Sequence, residues 1–246
     1  MKALDLNSEN KKTVLLIHPM LSSADGMKIN IADNLGDDLR YIIPDLSAHG
    51  ESIDKTYHSS KEEAHAIYDH LKALNISKLD LAYGASLGGV VLLQLLEYKD
   101  IQINKAIFEG CSLWQNSWIQ EFFMKKIFIK KHRKAIKDRE LAVKRMTRIY
   151  GEKASVMADT FIAMSEESII NIIHDCSFVN LPRLSEDEQR KCLFTYGSKE
   201  FDLMSAKKYL PKNYPYASLR LWNGYGHCTR ITKDTENYCM EIREEF

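Results

Sequence analysis

Short apolar runs, each closed by a turn-forming residue, recur in the first and last parts of this chain. Continuous apolar runs of this length are typical of strands that are buried on both faces of a parallel sheet. Helical patterns separate or follow them, so the sequence predicts an α/β fold of three layers with a mostly parallel sheet of about six strands. The apolar runs cover residues 14–17, 41–43, 79–83, 106–108, 193–196 and 219–222, and the helical patterns cover residues 60–74, 90–96 and 232–246.

This alternation is interrupted between residues 112 and 190, where the pattern is helical and contains no convincing strand. Four aromatic residues open the block, and a basic stretch follows at residues 125–148. The aromatic residues recur at roughly helical spacing, so we expect them to pack inside the block. We predict a helical cap at residues 112–190, inserted into a core formed by residues 1–111 and 191–246. The four aromatic residues are Trp114, Trp118, Phe122 and Phe123.

Charge and cysteine content narrow the classes of partner and compartment. The 246 residues carry 34 Lys and Arg against 34 Asp and Glu, so the formal net charge is zero. This balance gives no global reason to expect a nucleic-acid or anionic-membrane partner. The five cysteines are scattered without a CxxC pair, which favours reduced thiols in a cytoplasm over a disulfide framework or a zinc site. We expect neither a secretory signal nor a membrane span.

The strongest local signal for chemistry is the sequence Gly-Ala-Ser-Leu-Gly-Gly at residues 84–89. It directly follows one apolar run and directly precedes an apolar helix. In such a strand–turn–helix context a serine hydroxyl projects above the sheet, at a helix N-terminus whose backbone N–H groups can hold a developing oxyanion. The pattern predicts that Ser86 is a catalytic nucleophile, although a GxSxG sequence also occurs in purely structural turns.

Four segments, in order along the chain, resemble motifs of the α/β-hydrolase family. Residues 15–20 are similar to its strand followed by a His-Gly oxyanion segment, and residues 43–52 to its Pro-Asp-x-x-Gly-His-Gly-x-Ser stretch. Residues 84–89 match the nucleophile elbow, and residues 224–227 the late Gly-x-Gly-His loop. The resemblance implies a three-layer α/β-hydrolase sandwich with His227 as general base, a role that suits an imidazole of near-neutral pKa.

Two residues depart from the family pattern. Pro19 stands where the oxyanion segment has a glycine, and Ala48 replaces a glycine in the second motif. Because proline fixes its φ angle and has no N–H, we expect a stiffer oxyanion loop. The resemblance places the two oxyanion donors on the backbone amides of Met20 and Leu87, and both residues retain an N–H.

The acid that would orient His227 is open among three carboxylates. The resemblance places this acid in the turn after the strand before the last, which here is residues 197–202. The spacing puts Glu200 at the family position and leaves Asp202 as the alternative if the turn is longer. Glu109, at the end of an earlier strand, is a third option. A glutamate or an aspartate can equally fix the imidazole tautomer and stabilise the imidazolium.

The basic stretch that begins at residue 125 has two interpretations. It fits the solvated face of an amphipathic helix, with Phe128 and Ile129 turned inward, and this is the interpretation we favour. It also fits a positive rim that steers an anionic acyl substrate. Because the cap should overlie Ser86, Trp114 and Trp118 are candidates for lining an apolar acyl pocket.

The predicted reaction is a two-step acyl transfer to water on a small-molecule carboxylic ester, thioester or lactone. An acyl-enzyme forms on Ser86, and the reaction requires no metal or organic cofactor. Two alternatives stay open: a carbon–carbon bond hydrolase or lyase that uses the same Ser–His pair, and a small-ligand binding protein with little turnover. The sequence is silent on the oligomeric state.

Overall fold

A computed structural model gives the structure of the protein and describes residues 1–151 and 155–246. The strands are β1 (Lys2–Leu6), β2 (Thr13–Ile17), β3 (Arg40–Asp45), β4 (Lys78–Leu79), β5 (Leu81–Ala85), β6 (Gln102–Ile103), β7 (Ala106–Glu109), β8 (Cys192–Gly197) and β9 (Ser218–Trp222). The helices are α1 (Ala24–Met27), α2 (Asp33–Leu35), α3 (Ser60–Ala73), α4 (Leu87–Leu95), α5 (Trp118–Lys137), α6 (Arg139–Tyr150), α7 (Ser155–Ala163), α8 (Glu166–Ser177), α9 (Glu186–Arg190), α10 (Leu203–Asn213), α11 (Arg230–Lys233) and α12 (Thr235–Arg243). A π-helical turn at Lys28–Ala32 joins α1 to α2.

Seven strands form one sheet in the order β1-β3-β2-β5-β7-β8-β9. Every pair in it is parallel except β1–β3, which is antiparallel. The mostly parallel sheet is therefore confirmed, with one strand more than the six apolar runs suggested. The additional strand, β1, lies at the edge, is only partly buried and carries two charged residues, Lys2 and Asp5, among its five. A search for continuous apolar runs misses such a strand because only buried strands produce them.

The central strands are buried on both faces. Along β2, Leu15 and Ile17 join one hydrophobic cluster, whereas Val14 and Leu16 join the other, as the alternation of side chains along a strand requires. Residues of α3 and α4 complete the first cluster, and residues of α1, α2 and α12 complete the second. This arrangement of helices on both faces of the sheet confirms the predicted three layers.

Between residues 112 and 190 the described residues form helices α5–α9 and no strand, as the sequence predicts. Helix α8 begins after Ser165, whose Oγ accepts a hydrogen bond from the Ser168 N–H at 3.1 Å, the usual N-cap arrangement. Helix α5 packs against α7 and α8, and Ala135 on its inner side joins the cluster that covers α3 and α4. The division of the chain into a core and a cap stays a prediction.

Three of the four aromatic residues expected inside this block lie on its surface. Trp118, Phe122 and Phe123 are 68%, 51% and 57% exposed, so the prediction of interior packing is wrong for them. Phe128 and Ile129, by contrast, pack against the core as predicted. Helical spacing identified the helix, but it did not show which of its apolar residues face inward.

The C-terminal segment, predicted as one helix over residues 232–246, forms the two short helices α11 and α12. Asp234 separates them and occupies the N-cap position of α12. Both α11 and α12 contribute side chains to the second hydrophobic cluster, so the loop that precedes α11 is anchored on the sheet. None of the helices in the described parts of the chain is long and apolar enough to cross a membrane.

Candidate active site

Ser86 lies in the turn between β5 and α4, with backbone angles φ 50° and ψ −112°. Residues other than glycine rarely adopt these backbone angles, and a residue held there stores about 1–3 kcal/mol of strain. The Ser86 amide donates to the Glu109 carbonyl at 2.7 Å, and the Ser86 carbonyl accepts from the amides of Gly89 and Val90. Backbone hydrogen bonds thus fix the strained residue on both sides.

Two glycines of this turn allow close approach of the backbone. A Cβ atom on Gly84 would lie 2.4 Å from the Gly88 carbonyl oxygen, and one on Gly88 would lie 2.2 Å from the Ile17 carbonyl oxygen. Both distances are well inside van der Waals contact, so only glycine lets α4 begin this close to β5 and to the end of β2. The start of α4 is thereby held against the chain that leads to Met20.

His227 lies in the loop between β9 and α11, and its Nε2 is 2.8 Å from Ser86 Oγ. This is hydrogen-bond distance, as a general base needs in order to accept the hydroxyl proton. The residues are 141 positions apart in sequence. The structure therefore brings together the predicted nucleophile and the predicted base.

Two carboxylates lie beside the other ring nitrogen of His227. Its Nδ1 is 3.7 Å from Glu200 Oε2 and 3.9 Å from Asp202 Oδ2, which are ion-pair distances but longer than a hydrogen bond. The Glu200 side chain is fully buried, whereas that of Asp202 is 20% exposed. Glu200 Oε2 also accepts from the Gly197 amide at 3.3 Å, which holds this carboxylate in the turn. The geometry favours Glu200 without excluding Asp202.

The third option, Glu109, is occupied elsewhere. Its Oε2 accepts hydrogen bonds from Trp222 Nε1 at 2.8 Å, from the Tyr238 hydroxyl at 3.3 Å and from the Thr195 hydroxyl. Burial raises the pKa of this carboxyl to about 7, and the hydrogen bonds from Thr195 and Trp222 partly oppose that shift. Among the described residues it forms no ion pair with His227. Glu109 therefore supports the packing under the site, and the two carboxylates beside Nδ1 are the candidates for the acid.

The surroundings of His227 favour its charged form. Burial opposes charging of the imidazole, but the carboxylates of Glu200 and Asp202 favour it, so the pKa of His227 lies above its usual value. For Asp202 the effect of burial is the larger one. Burial raises the pKa of its carboxyl, and the charge of His227 only partly counteracts this. The site therefore stabilises the imidazolium that forms when the base accepts a proton.

Met20 and Leu87, the predicted oxyanion donors, have backbone amides without an acceptor in the described parts of the chain. The loop that carries Met20 is fixed by His18, whose Nε2 accepts from the Leu46 amide at 3.1 Å and whose Nδ1 lies 2.9 Å from the Pro19 carbonyl oxygen. Burial lowers the pKa of His18 to about 4, so the neutral ring can accept at Nε2 and donate at Nδ1. The proline that replaces the family glycine is thus held by a neighbouring side chain.

Hydrogen bonds join the turn at residues 197–202, the acid turn, to the loop at residues 223–229, the histidine loop. The Lys199 amide donates to the Tyr225 carbonyl at 3.0 Å, and the Gly224 amide donates to Ser198 Oγ at 2.9 Å. A Cβ atom on Gly197 would lie 2.4 Å from the same Tyr225 carbonyl oxygen. These contacts fix the position of the two carboxylates relative to the imidazole.

A family model described as alpha/beta hydrolase fold matches residues 12–124, from β2 through the nucleophile turn to the start of α5. The sheet order and the position of Ser86 in the turn between β5 and α4 agree with that match. Residues 12–124 therefore match the α/β-hydrolase family model, and the chain as a whole has the α/β-hydrolase fold. The fold inferred from the sequence is confirmed.

Solved structures with this fold resemble the chain over nearly its whole length. An α/β-hydrolase family protein from Desulfitobacterium hafniense has a TM-score of 0.71 and 16% identity, with 99% of both chains covered. A carboxylesterase structure from Nitrososphaera gargenis has a TM-score of 0.74 and 19% identity, covering 98% of this chain and 92% of that one. An esterase from Thermogutta terrifontis has a TM-score of 0.74 and 16% identity, covering 99% and 91%. Among curated protein sequences, none matches.

A cavity of about 330 Å³ lies between the oxyanion loop, the residue after His227 and the helical block, although neither Ser86 nor His227 lines it. Pro19 and Leu21 contribute to its wall from the oxyanion loop, and Cys228 from the position after His227. Tyr150 and Met157 contribute from the helical block. The lining is mostly apolar, as is usual for small-molecule sites. The sequence did not point to Tyr150 or Met157, because only the path of the chain brings α6 and α7 over the oxyanion loop.

Neither of the two tryptophans predicted to line a pocket borders this cavity. Trp118 is on the surface, as described above. Trp114 is half-buried, and its ring centre lies 5.5 Å from that of Phe201 and 6.3 Å from that of Tyr209. In the sequence, Phe201 stands between the two candidate acids. It therefore forms part of the rim beside the acid turn. The described residues contain no group of three or more His, Cys, Asp or Glu side chains that could hold a metal ion.

Gly110 lies next to the imidazole of His227, and its substitution gives a first test of the site. Its φ is +60°, and a Cβ atom there would lie 3.2 Å from both Nδ1 and Cε1 of His227. We expect Gly110→Ala to lower the free energy of unfolding by about 1–2 kcal/mol through backbone strain. We also expect it to slow the reaction of Ser86 with a fluorophosphonate, because the added methyl group displaces the ring.

Gly224→Ala is the matched control for this substitution. Gly224 has a φ of +85°, and a Cβ atom there would meet no atom within 4 Å. Both variants should lose stability in urea unfolding, but only Gly110→Ala should react more slowly with the fluorophosphonate. Equal rates in the two variants would show that Gly110 does not position His227.

Proposed function

We propose that this protein is a serine hydrolase that cleaves a carboxylic ester-like bond through an acyl-enzyme on Ser86. The observation that carries the proposal is the 2.8 Å contact between His227 Nε2 and Ser86 Oγ. Two further features support it: the strained backbone that holds the serine at a helix N-terminus, and the carboxylates beside Nδ1. A Ser–His contact in a purely structural turn would require neither of these features.

The reaction would use the side chains in two half-reactions. His227 Nε2 takes the proton of Ser86 as Oγ attacks the carbonyl carbon, and it then gives that proton to the departing alkoxide or thiolate. A water molecule next attacks the acyl carbon, with its proton passing to Nε2 and then back to Ser86 Oγ as the carboxylic acid leaves. The amides of Met20 and Leu87 would hold the oxyanion, and loss of one such donor typically lowers kcat about 10²- to 10³-fold.

We infer the substrate class from the apolar cavity that Pro19, Leu21 and Cys228 border, next to the oxyanion loop and to His227 in sequence. Its mostly apolar lining and volume of about 330 Å³ suit the acyl part of a small to medium ester, thioester or lactone. Side chains of α6 and α7 contribute one wall, so this segment would set the preferred acyl length. A series of nitrophenyl esters of increasing acyl length should therefore show an optimum at intermediate length.

We assign the protein to a reducing compartment, the cytoplasm. All five cysteines are free, and four of them are buried. Burial raises the pKa of Cys111 and of Cys228, which keeps both thiols protonated and unreactive at neutral pH. Such thiols contribute to packing and not to a disulfide framework.

The proposal is tested by covalent labelling with a fluorophosphonate, followed by intact mass and peptide mapping. We expect wild-type protein to gain one adduct, located on Ser86, because His227 activates this hydroxyl. Ser86→Ala should gain none, and His227→Ala should react far more slowly. Hydrolysis of the ester series by the same preparations would then establish turnover.

Three outcomes would overturn parts of the proposal. An adduct on another residue would remove Ser86 from its role. An adduct on Ser86 without hydrolysis of any ester, thioester or lactone would favour a carbon–carbon bond hydrolase or lyase that uses the same pair. Folded wild-type protein that gains no adduct would leave a small-ligand binding protein with little turnover.

A further inference from the structure

The outer face of α5 exposes an unusual amount of apolar surface. In the first ten residues of the helix, Trp118, Ile119, Phe122, Phe123 and Ile127 are each between 42% and 68% exposed. Ten residues of α-helix span roughly 15 Å, so these side chains form one continuous patch. Contiguous apolar patches on a soluble surface mark interaction sites, whereas single exposed apolar residues do not.

The second half of the same face is basic. Lys126, Lys130, Lys134 and Lys137 continue the stripe of Ile119 and Phe123 at spacings of three and four residues, which places them on one side of the helix. None of these four lysines forms an ion pair with another described residue. The only acid of α5, Glu121, is partly buried and pairs with Lys125 of α5 and with His174 of α8.

A shallow depression of about 450 Å³ lies beside this stripe. Four cationic side chains and two isoleucines surround it. Lys125 and Arg133 are paired with Glu121 and Glu166, and Lys126 and Lys130 form no ion pair with another described residue. Cations around an open depression at the edge of an apolar patch fit the phosphate of a lipid headgroup, while the neighbouring aromatic rings reach the region between headgroups and acyl chains. The lining residues are Lys125, Lys126, Ile129, Lys130, Arg133 and Ile170.

We propose that the outer face of α5 is a docking surface for an anionic phospholipid bilayer. We define this outer face as the five exposed apolar residues at the start of α5 together with the four lysines of the stripe. The apolar residues are Trp118, Ile119, Phe122, Phe123 and Ile127. An amphipathic helix with aromatic and aliphatic side chains beside lysines binds such surfaces by shallow insertion and charge attraction together. A second copy of the chain fits less well, because an isologous contact would bring eight lysines together without acidic partners. A nucleic acid would satisfy the lysines but not the exposed isoleucines.

The experiment is sedimentation with vesicles of phosphatidylcholine containing about a quarter of phosphatidylglycerol. Wild-type protein should partition onto these vesicles more strongly than onto pure phosphatidylcholine, and raised salt should weaken the partitioning. Lys126→Glu/Lys130→Glu should weaken it by at least about 30-fold, and Ile119→Ser/Phe123→Ser by at least about tenfold. Tryptophan emission should shift to shorter wavelength on binding, and Trp118→Phe should remove most of that shift.

The controls are a double Lys→Glu variant and a single apolar→Ser variant on surfaces away from α5. Lys61 and Lys212 are exposed on α3 and α10, and Met240 is 58% exposed on α12. Lys61→Glu/Lys212→Glu and Met240→Ser should bind like wild type, and all variants should retain the wild-type thermal unfolding profile. Ser86→Ala should also bind like wild type, so the result does not depend on the chemistry at Ser86.

Several results would overturn the proposal. It fails if wild type does not sediment with the anionic vesicles, or if both outer-face variants bind as the controls do. Loss of binding in the lysine variant alone would show charge attraction without insertion, as for a nucleic acid, and would contradict a bilayer surface. A wild-type dimer in solution that Ile119→Ser/Phe123→Ser converts to a monomer would assign the face to a second copy.

Discussion

Replacing Ser86 with alanine should lower ester turnover by about 10⁶-fold relative to wild type, which is the scale seen when the nucleophile of a working Ser–His pair is removed. The reason is the loss of the acyl-enzyme route, since no other hydroxyl lies at hydrogen-bond distance from His227 Nε2 among the described residues. The residual rate would come from the oxyanion donors and from substrate binding alone. Steady-state kinetics with the best ester of the acyl-length series measures this change.

Two further substitutions make the result specific. Ser77 is exposed in the turn before β4, so Ser77→Ala should keep full turnover. Ser86→Gly should be as inactive as Ser86→Ala but more stable by about 1 kcal/mol, because glycine adopts the φ of 50° without the strain of a side chain. Thermal unfolding of the two inactive variants checks this difference. Substantial turnover by either of them would place the nucleophile elsewhere.

The parts of the site that the sequence predicted are those with a local backbone signature. Gly84 and Gly88 are needed because a Cβ atom at either position would collide with neighbouring backbone, and this requirement is visible in the sequence as glycines around a serine. Ala48 is the opposite case, because a position that favours glycine is occupied here by another residue. Its φ of 65° lies in the left-handed region that favours glycine, which explains why the family motif has glycine where this chain has alanine.

The parts that the sequence could not predict depend on the direction of side chains. Glu109 ends a strand beside the site, yet its carboxylate points to Trp222 and Tyr238 instead of His227. Successive side chains of a strand point to opposite faces of the sheet, so one residue of register decides between an active-site acid and a buried structural one. Trp118 was misplaced for a similar reason, because helical spacing does not fix which side of α5 meets the core.

The acid turn shows where prediction from spacing reaches its limit. Counting residues from Gly197 selected Glu200, and the structure places both Glu200 and Asp202 within 4 Å of His227 Nδ1, at 3.7 Å and 3.9 Å. A difference this small in distance does not come from the sequence pattern. Differences in burial and in hydrogen bonding separate the two carboxylates more clearly, since the Glu200 side chain is fully enclosed and receives the Gly197 amide.

Glu200→Ala should therefore lower kcat/KM about 10³- to 10⁴-fold, whereas Asp202→Ala should lower it less than about tenfold. A fully buried carboxylate stabilises the imidazolium more than a partly hydrated one at a similar distance, because water screens the second charge. The isosteric variants Glu200→Gln and Asp202→Asn keep the shape of the turn and remove only the charge. They serve as the matched pair for this comparison.

The midpoint of the pH profile of kcat/KM tests the same assignment, independently of how far kcat/KM falls. His227 accepts a proton only when it is neutral, so activity should rise with pH through its pKa, and the raised pKa of His227 places the midpoint above 6.5 in wild type. Removing a carboxylate that favours the imidazolium lowers that pKa, so the midpoint in Glu200→Gln should move to lower pH while the plateau falls. Asp202→Asn should move it less. A larger shift and a larger loss in Asp202→Asn would make Asp202 the acid, and an unchanged midpoint in both variants would show that neither carboxylate acts on His227.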